Sequence, residues 1–150
     1  DVVRTPFDAR DFCREIADQL RHQRHPDVEL RVEEGLPELT VTEYRHGLSQ
    51  IIGNFVRNAL KFTKKGSVTI GYCRIPDCIR FYVRDTGIGI APKDQERIFE
   101  RFVKLDTFTQ GTGLGLSVCK SIAEQLGGSV GLESAVGEGS CFRLDLPARG

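Results

Sequence analysis

Gly47-Leu48-Ser49-Gln50-Ile51-Ile52-Gly53-Asn54-Phe55-Val56-Arg57-Asn58-Ala59-Leu60-Lys61-Phe62-Thr63-Lys64-Lys65-Gly66, residues 47–66, is the stretch on which the fold turns. Leu48, Ile51, Ile52, Phe55, Val56, Ala59 and Leu60 recur at i, i+3 and i+4, the spacing that lines one face of an α-helix. Gly66 is expected to stop the helix. Toward the C-terminus the period changes from 3.6 to 2. Ser67–Arg74 and Ile79–Arg84 alternate apolar with polar and are joined by a link containing Pro76-Asp77, which reads as an antiparallel hairpin. Asp85-Thr86-Gly87-Ile88-Gly89-Ile90 follows, then a helix opened by Pro92. Residues 103–112 are polar and read as a mobile loop. A helix is expected from about Leu114 to Leu126, closed by Gly127-Gly128. The chain ends in a second hairpin, Ser129–Ser134 and Cys141–Leu146, turning at Gly137-Glu138-Gly139.

Toward the N-terminus, Val2 to Phe7 is extended. A helix capped by Asp8 carries Phe12, Ile16 and Leu20 on one face and ends at His25-Pro26. Val28, Leu30 and Val32 alternate with charged residues as a half-buried strand, and Leu39 to Thr42 is a shorter strand. The expected architecture over residues 1–150 is one α+β domain, a two-layer sandwich with helices on one face of a mixed, mostly antiparallel sheet.

With 21 basic and 21 acidic residues in 150, the chain has no net charge, and no basic stripe interleaved with aromatics points to nucleic acid. Anion binding must come from local geometry. No apolar run is long enough to span a bilayer and no signal peptide opens the chain, so a cytoplasmic location is expected, with any membrane anchor elsewhere in a larger parent. Cys13, Cys73, Cys78, Cys119 and Cys141 are odd in number and have no CxxC spacing, which reads as buried reduced thiols.

Three features carry chemistry. Asn54, Asn58 and Lys61 share a polar stripe at i, i+4 and i+7 on the strong helix. Asparagine is a poor helix former, its amide oxygen suits Mg²⁺, and Lys61 suits phosphate. A merely solvated face fits the stripe equally well. In the Asp85–Ile90 turn, a carboxylate can accept from an exocyclic amine such as adenine N6, and Gly87 and Gly89 allow close backbone approach to a flat ligand. Alone, that run also reads as a simple turn. Gly111-Thr112-Gly113-Leu114-Gly115 before a helix exposes backbone N–H groups suited to phosphate, though a flexible loop and helix cap explains it as well. Phe99 and Phe102 flank the polar loop, as core aromatics and as anchors for one end of a lid.

The order of these runs resembles the sensor histidine kinases. NFVRNALKFT, DTGIGI, ERIFERFVK, GTGLGLSVCK and GEGSCFRLDLP are similar, in sequence, to that family's asparagine, first glycine, phenylalanine and second glycine boxes and its closing strand. The resemblance covers nearly the whole chain, most specifically Asn54 to Pro147. It implies the Bergerat fold and a catalytic domain that binds ATP with Mg²⁺. By this resemblance Asn58 coordinates the metal with Asn54 beside it, Lys61 contacts phosphate, and Phe62 lies near the adenine–ribose edge. Asp85 takes the adenine amine and Gly87 and Gly89 wall the base. Gly111, Thr112, Gly113 and Gly115 hold the triphosphate, and Leu114 pins the lid. His46 receives no role.

The implied partners are a histidine-bearing dimerisation domain of the parent chain and a downstream response regulator. The isolated domain is expected to be monomeric and the parent a homodimer. His22, His25 and His46 sit in no acceptor-like setting, so the chain is expected not to phosphorylate itself. An ATPase of the same fold is the nearest alternative. It needs a general base, typically a Glu, where Asn54 stands, and a neutral amide cannot take the proton. A serine-kinase relative and a nucleotide-sensing module without chemistry are further alternatives.

Overall fold

The structure is a computed structural model and describes residues 2–100 and 116–148. Helix α1 spans Ala9–Leu20, and the Asp8 side chain caps it by accepting from the Asp11 amide at 2.8 Å, as its sequence predicts. Helix α2 spans Arg45–Phe62 and buries every apolar residue of the predicted face, with Leu48, Ile51, Ile52, Phe55 and Val56 wholly inaccessible. Three β-branched residues and Gly53 lower its intrinsic propensity, so tertiary packing supplies its stability. Gly66 does not stop it. The helix ends at Phe62 with Thr63 extended at the cap. Gly66, at φ +122°, lies inside the next strand, where Thr86 Oγ1 would stand 2.1 Å from any Cβ.

Strands β2 (Asp27–Val32), β4 (Lys65–Ile75), β5 (Cys78–Asp85), β6 (Ser129–Ala135) and β7 (Gly139–Pro147) form one sheet in the order β2-β4-β5-β7-β6. The β2–β4 pair is parallel and the other three are antiparallel, so the sheet is mixed and mostly antiparallel as expected. The extended N-terminal piece and the short strand candidate pair with each other. They are β1 (Thr5–Asp8) and β3 (Thr40–Glu43), a separate antiparallel ribbon. Alternation could mark these two as extended but could not reveal that they are partners. Helix α3 is a single turn, Pro92–Gln95, and the described part of α4 is Leu116–Gln125.

The helices cover one face of the sheet and build one core. Phe55 stacks on Phe142 at 5.2 Å, and Phe12 and Tyr72 meet Phe81 at 5.9 and 5.8 Å. On β5 the inward row is Ile79, Phe81, Val83 and Asp85, all buried, so period-2 alternation ends its helix-facing row on a carboxylate. The outward face carries paired charges: Arg80 grips Asp145 through both carboxylate oxygens, and Arg84 pairs with Glu33 at 2.7 Å. All five thiols are free, but only Cys13 and Cys119 are buried. Cys73, Cys78 and Cys141 are half-buried on strands, which corrects the uniform expectation. The edge strand β2 is closed by Arg21, which donates from Nε and Nη2 to the Leu30 carbonyl at 3.4 and 3.2 Å.

Because Phe55 joins α2 to β7 and is fully buried, Phe55→Ala should cost about 3–5 kcal/mol. Urea unfolding of the two chains measures this, and a loss below about 1 kcal/mol would contradict the packing described.

Candidate functional site

The polar stripe of α2 is internally wired. Asn58 donates from Nδ2 to the Asn54 backbone carbonyl at 2.8 Å, which turns the amide nitrogen toward the helix. Asn54 donates from Nδ2 to Cys119 Sγ at 3.6 Å and accepts at Oδ1 from Arg57 Nη1 at 3.0 Å. Cys119 Sγ in turn donates to the Ile51 carbonyl at 3.8 Å. Burial pushes this thiol up to about 11, so at neutral pH it keeps its proton. Lys61 is exposed at the C-terminal end of the helix, where the dipole favours a cation.

Opposite the stripe stands Asp85. Its Oδ1 accepts from the Gly87 amide at 2.9 Å and from the Ser140 amide at 3.2 Å. Burial lifts its pKa to about 6 against the opposing pull of these two amides. The turn that follows is pinned from three sides. A Cβ at Gly87 would lie 2.5 Å from the Phe62 carbonyl and 2.7 Å from Thr63 Oγ1. Gly89, at φ +74°, would meet the Ala135 carbonyl at 2.1 Å. Ile90 N–H donates to Ser134 Oγ at 2.8 Å, and Gln95 Nε2 donates to the carbonyls of Ile90 and Ser134 at 2.7 and 3.0 Å.

Between stripe and turn lies a narrow cavity lined by Asn58, Phe62, Asp85, Ile88, Gly89, Ile90, Leu116, Ser140 and Phe142. A more open groove adjoins it, lined by Gln23, His25, Asn54, Arg57, Asn58, Leu60 and Lys61. Asn58 belongs to both. The structure thus brings together six of the expected residues directly, Asn54, Asn58, Lys61, Phe62, Asp85 and Gly89, with Gly87 immediately behind Asp85. Gly111, Thr112, Gly113, Leu114 and Gly115, with Phe102 and the loop 103–112, lie outside the described residues. Phe99 is half-buried beyond α3 and meets Phe142 edge-on at 6.3 Å.

Four contributors went unread in the sequence. Ser140 supplies the second amide on Asp85. Ser134 bonds the turn and shares a 2.8 Å hydroxyl contact with Ser140. Thr63 is fully buried, and its hydroxyl has no hydrogen-bond partner among the described residues. Cys119 holds the Asn54 amide. Only the pairing of β5 with β7, Asp85 opposite Ser140, reveals the first of these. The conspicuous signal was the glycine turn beside it.

The donor set suits a purine and a hard cation. A buried carboxylate faces a slot with glycine backing, which a flat base with an exocyclic amine fits. Among the described residues no group of three or more His, Cys, Asp or Glu could hold a metal alone. A neutral Asn58 amide suits Mg²⁺, which takes most of its ligands from phosphate and water.

Residues 43–150 match the family described as histidine kinase-, DNA gyrase B-, and HSP90-like ATPase. The sensor protein SrrB of Staphylococcus aureus is 39% identical over 107 residues, covering 67% of this chain and 18% of its own. The chain therefore spans under a fifth of that curated relative. Among solved structures, full-length ShkA in complex with AMPPNP superposes with a TM-score of 0.90 at 33% identity, over 100% of this chain and 32% of its own. The mycobacterial sensor histidine kinase MprB gives 0.81 at 27% identity, over 98% and 99%. The family match over residues 43–150, the 39% identity to a sensor protein and the superposition on sensor kinase structures lead to one assignment: the chain belongs to the histidine kinase-, DNA gyrase B- and HSP90-like ATPase family, as the ATP-binding domain of a sensor histidine kinase.

Proposed function

We propose that this chain, residues 1–150 acting as one catalytic domain, binds Mg-ATP across cavity and groove and passes the γ-phosphoryl group to a histidine on another segment of its parent. A response regulator would then receive the phosphoryl group. The observation that carries this reading is the buried Asp85 carboxylate, held by two backbone amides at the mouth of a slot that continues onto the Asn58 stripe.

Asp85 would accept from adenine N6, while Gly87 and Gly89 let backbone lie against the ring. Thr63, buried behind Gly87, adds a hydroxyl that can reach the base through water. Phe62 would flank the sugar. From there the phosphates run over Asn58 toward Lys61, with the 111–115 glycine segment supplying amides. Mg²⁺, when bound, neutralises charge on the phosphate oxygens, and Asn58 is the residue that would hold it. In the transfer, the bond from the γ-phosphorus to the bridging oxygen breaks and a bond to the incoming imidazole nitrogen forms, with ADP leaving. Asn54, held by Cys119 and Arg57, orients groups at this end but takes no proton, so water is a poor competitor.

Asp85 should set base selectivity. Guanine presents a carbonyl where adenine presents an amine, and losing a charged hydrogen bond costs about 1.5–3 kcal/mol. Calorimetry should find ADP bound at least tenfold tighter than GDP, and equal affinities would remove Asp85 from this role. Affinity for ADP should fall as pH drops through about 6, where the carboxyl gains a proton and ceases to be a pure acceptor. The same group opposes folding. Its folded pKa is raised, so its contribution to stability is complete below the ordinary carboxylate range and is lost as pH rises through about 6. Asp85→Asn should therefore stabilise the protein at pH 7 by on the order of 1–3 kcal/mol while weakening ADP binding. A variant that loses both together would point to a structural role instead.

Asn58→Ala should abolish most of the Mg²⁺ dependence of nucleotide binding with little change in metal-free affinity. Retention of the full dependence, measured by titration with and without EDTA, would place the metal ligand elsewhere.

Incubated with labelled ATP, the chain should release phosphate slowly and take up no stable label. It should label a separately added dimerisation fragment of its parent, more slowly than a tethered one. Rapid phosphate release that Asn54→Ala abolishes would move the protein to the ATPase branch. Stable label at His22, His25 or His46 would relocate the acceptor.

A further inference from the structure

Gly53 interrupts a helix face that is otherwise well filled. A glycine inside a helix is unfavourable relative to alanine. Its neighbour one turn on is Arg57, in ordinary contact range. The Arg57 side chain folds back along the helix, and its Nη1 and Nη2 lie 3.4 and 3.7 Å from where a Gly53 Cβ would stand. From there Nη1 donates to Asn54 Oδ1 at 3.0 Å. Among the described residues no carboxylate pairs with this guanidinium, although most of the arginines on the sheet have one. Arg57 is thus an exposed cation laid on glycine and held by one neutral acceptor.

Its position gives it an alternative partner. Asn58 lies at the junction of cavity and groove. With adenine against Asp85, successive phosphates pass Asn58 and enter the groove, where Arg57 and Lys61, one turn apart, are the two cations of α2 in the lining. We infer that Arg57 reads the terminal phosphate: it leaves Asn54 for the γ-phosphoryl oxygens of ATP and has no such partner in ADP. The inference rests on the nucleotide reading above.

A guanidinium that exchanges one amide oxygen for a phosphate gains a charge-assisted contact, two-pronged where geometry permits. Nothing covalent restrains the exchange, and Gly53 puts no side chain against the guanidinium. The move also withdraws the Arg57 donor from Asn54 Oδ1, while Cys119 Sγ continues to hold the amide nitrogen. Arg57 thereby distinguishes substrate from product by charge at one position, and it would favour release of ADP after transfer.

The test compares a non-hydrolysable ATP analogue with ADP, both with Mg²⁺, by calorimetry on the 150-residue chain. Arg57→Ala should weaken the analogue about tenfold and change ADP by less than twofold, with the melting temperature nearly unchanged because the side chain is exposed. Arg57→Lys should recover part of the loss. The ¹⁵Nε resonance of Arg57 should shift with the analogue and not with ADP. Equal weakening of both nucleotides would reduce Arg57 to general charge attraction and overturn the inference, as would an unchanged analogue affinity or an Nε signal indifferent to the analogue. Failure of the unmodified chain to bind ADP at all would instead overturn the nucleotide reading, and this inference with it.

Discussion

Burying a carboxylate costs free energy, and this fold is arranged around doing so at one place. Asp85 ends the inward row of β5, where the preceding residues are Ile79, Phe81 and Val83. An ionised oxygen there survives only because the Gly87 and Ser140 amides point at it. Those amides come from two different parts of the chain, so the β5–β7 register, the Gly87 turn and the tight approach of Gly139 to the Asp85 carbonyl are all fixed together. The Ser134–Ser140 contact and the Gln95 amide then tie β6 and α3 to the same turn. The site is tightly tied around Asp85 because a charge had to be satisfied there.

The α2 stripe is built differently. Its polar groups sit on one helix face, bordered by an open groove, and their hydrogen bonds include Asn58 to the Asn54 carbonyl and Asn54 to Cys119 and Arg57. Helix α4 touches this face through Cys119 alone among the hydrogen bonds described, so displacement of α4 bears directly on the Asn54 amide. On the function proposed above, this contrast suits a site that holds one end of a nucleotide while changing its grip on the other.

Much of this was legible before the structure. The α2 face was readable because apolar periodicity over eighteen residues leaves few alternatives, and the two hairpins because alternation broken by turn residues is a local signal. Asp85 and the Asn54–Asn58–Lys61 stripe were conspicuous as polar residues at places where a helix or strand had no structural need of them. What escaped was non-local. The β1–β3 ribbon, the parallel β2–β4 pair and the Ser140 amide depend on which strands meet, and nothing in the strands' own composition states that. Gly66 was misread because a glycine after a helix and a glycine required by a neighbouring Thr86 hydroxyl look alike in one dimension. Thr63 and Cys119 are small residues whose importance lies wholly in what surrounds them.

The arginine that closes β2 has a consequence for the molecule among its own kind. A terminal strand ordinarily offers a row of unspent backbone acceptors, and two copies meeting there can extend one another's sheet. Arg21 occupies the Leu30 carbonyl with both arms of its guanidinium and is itself restrained by Asp18 at 2.7 Å. Strand addition along this border would first have to displace an ion-paired side chain. The domain thereby keeps one of its flanks from becoming adhesive.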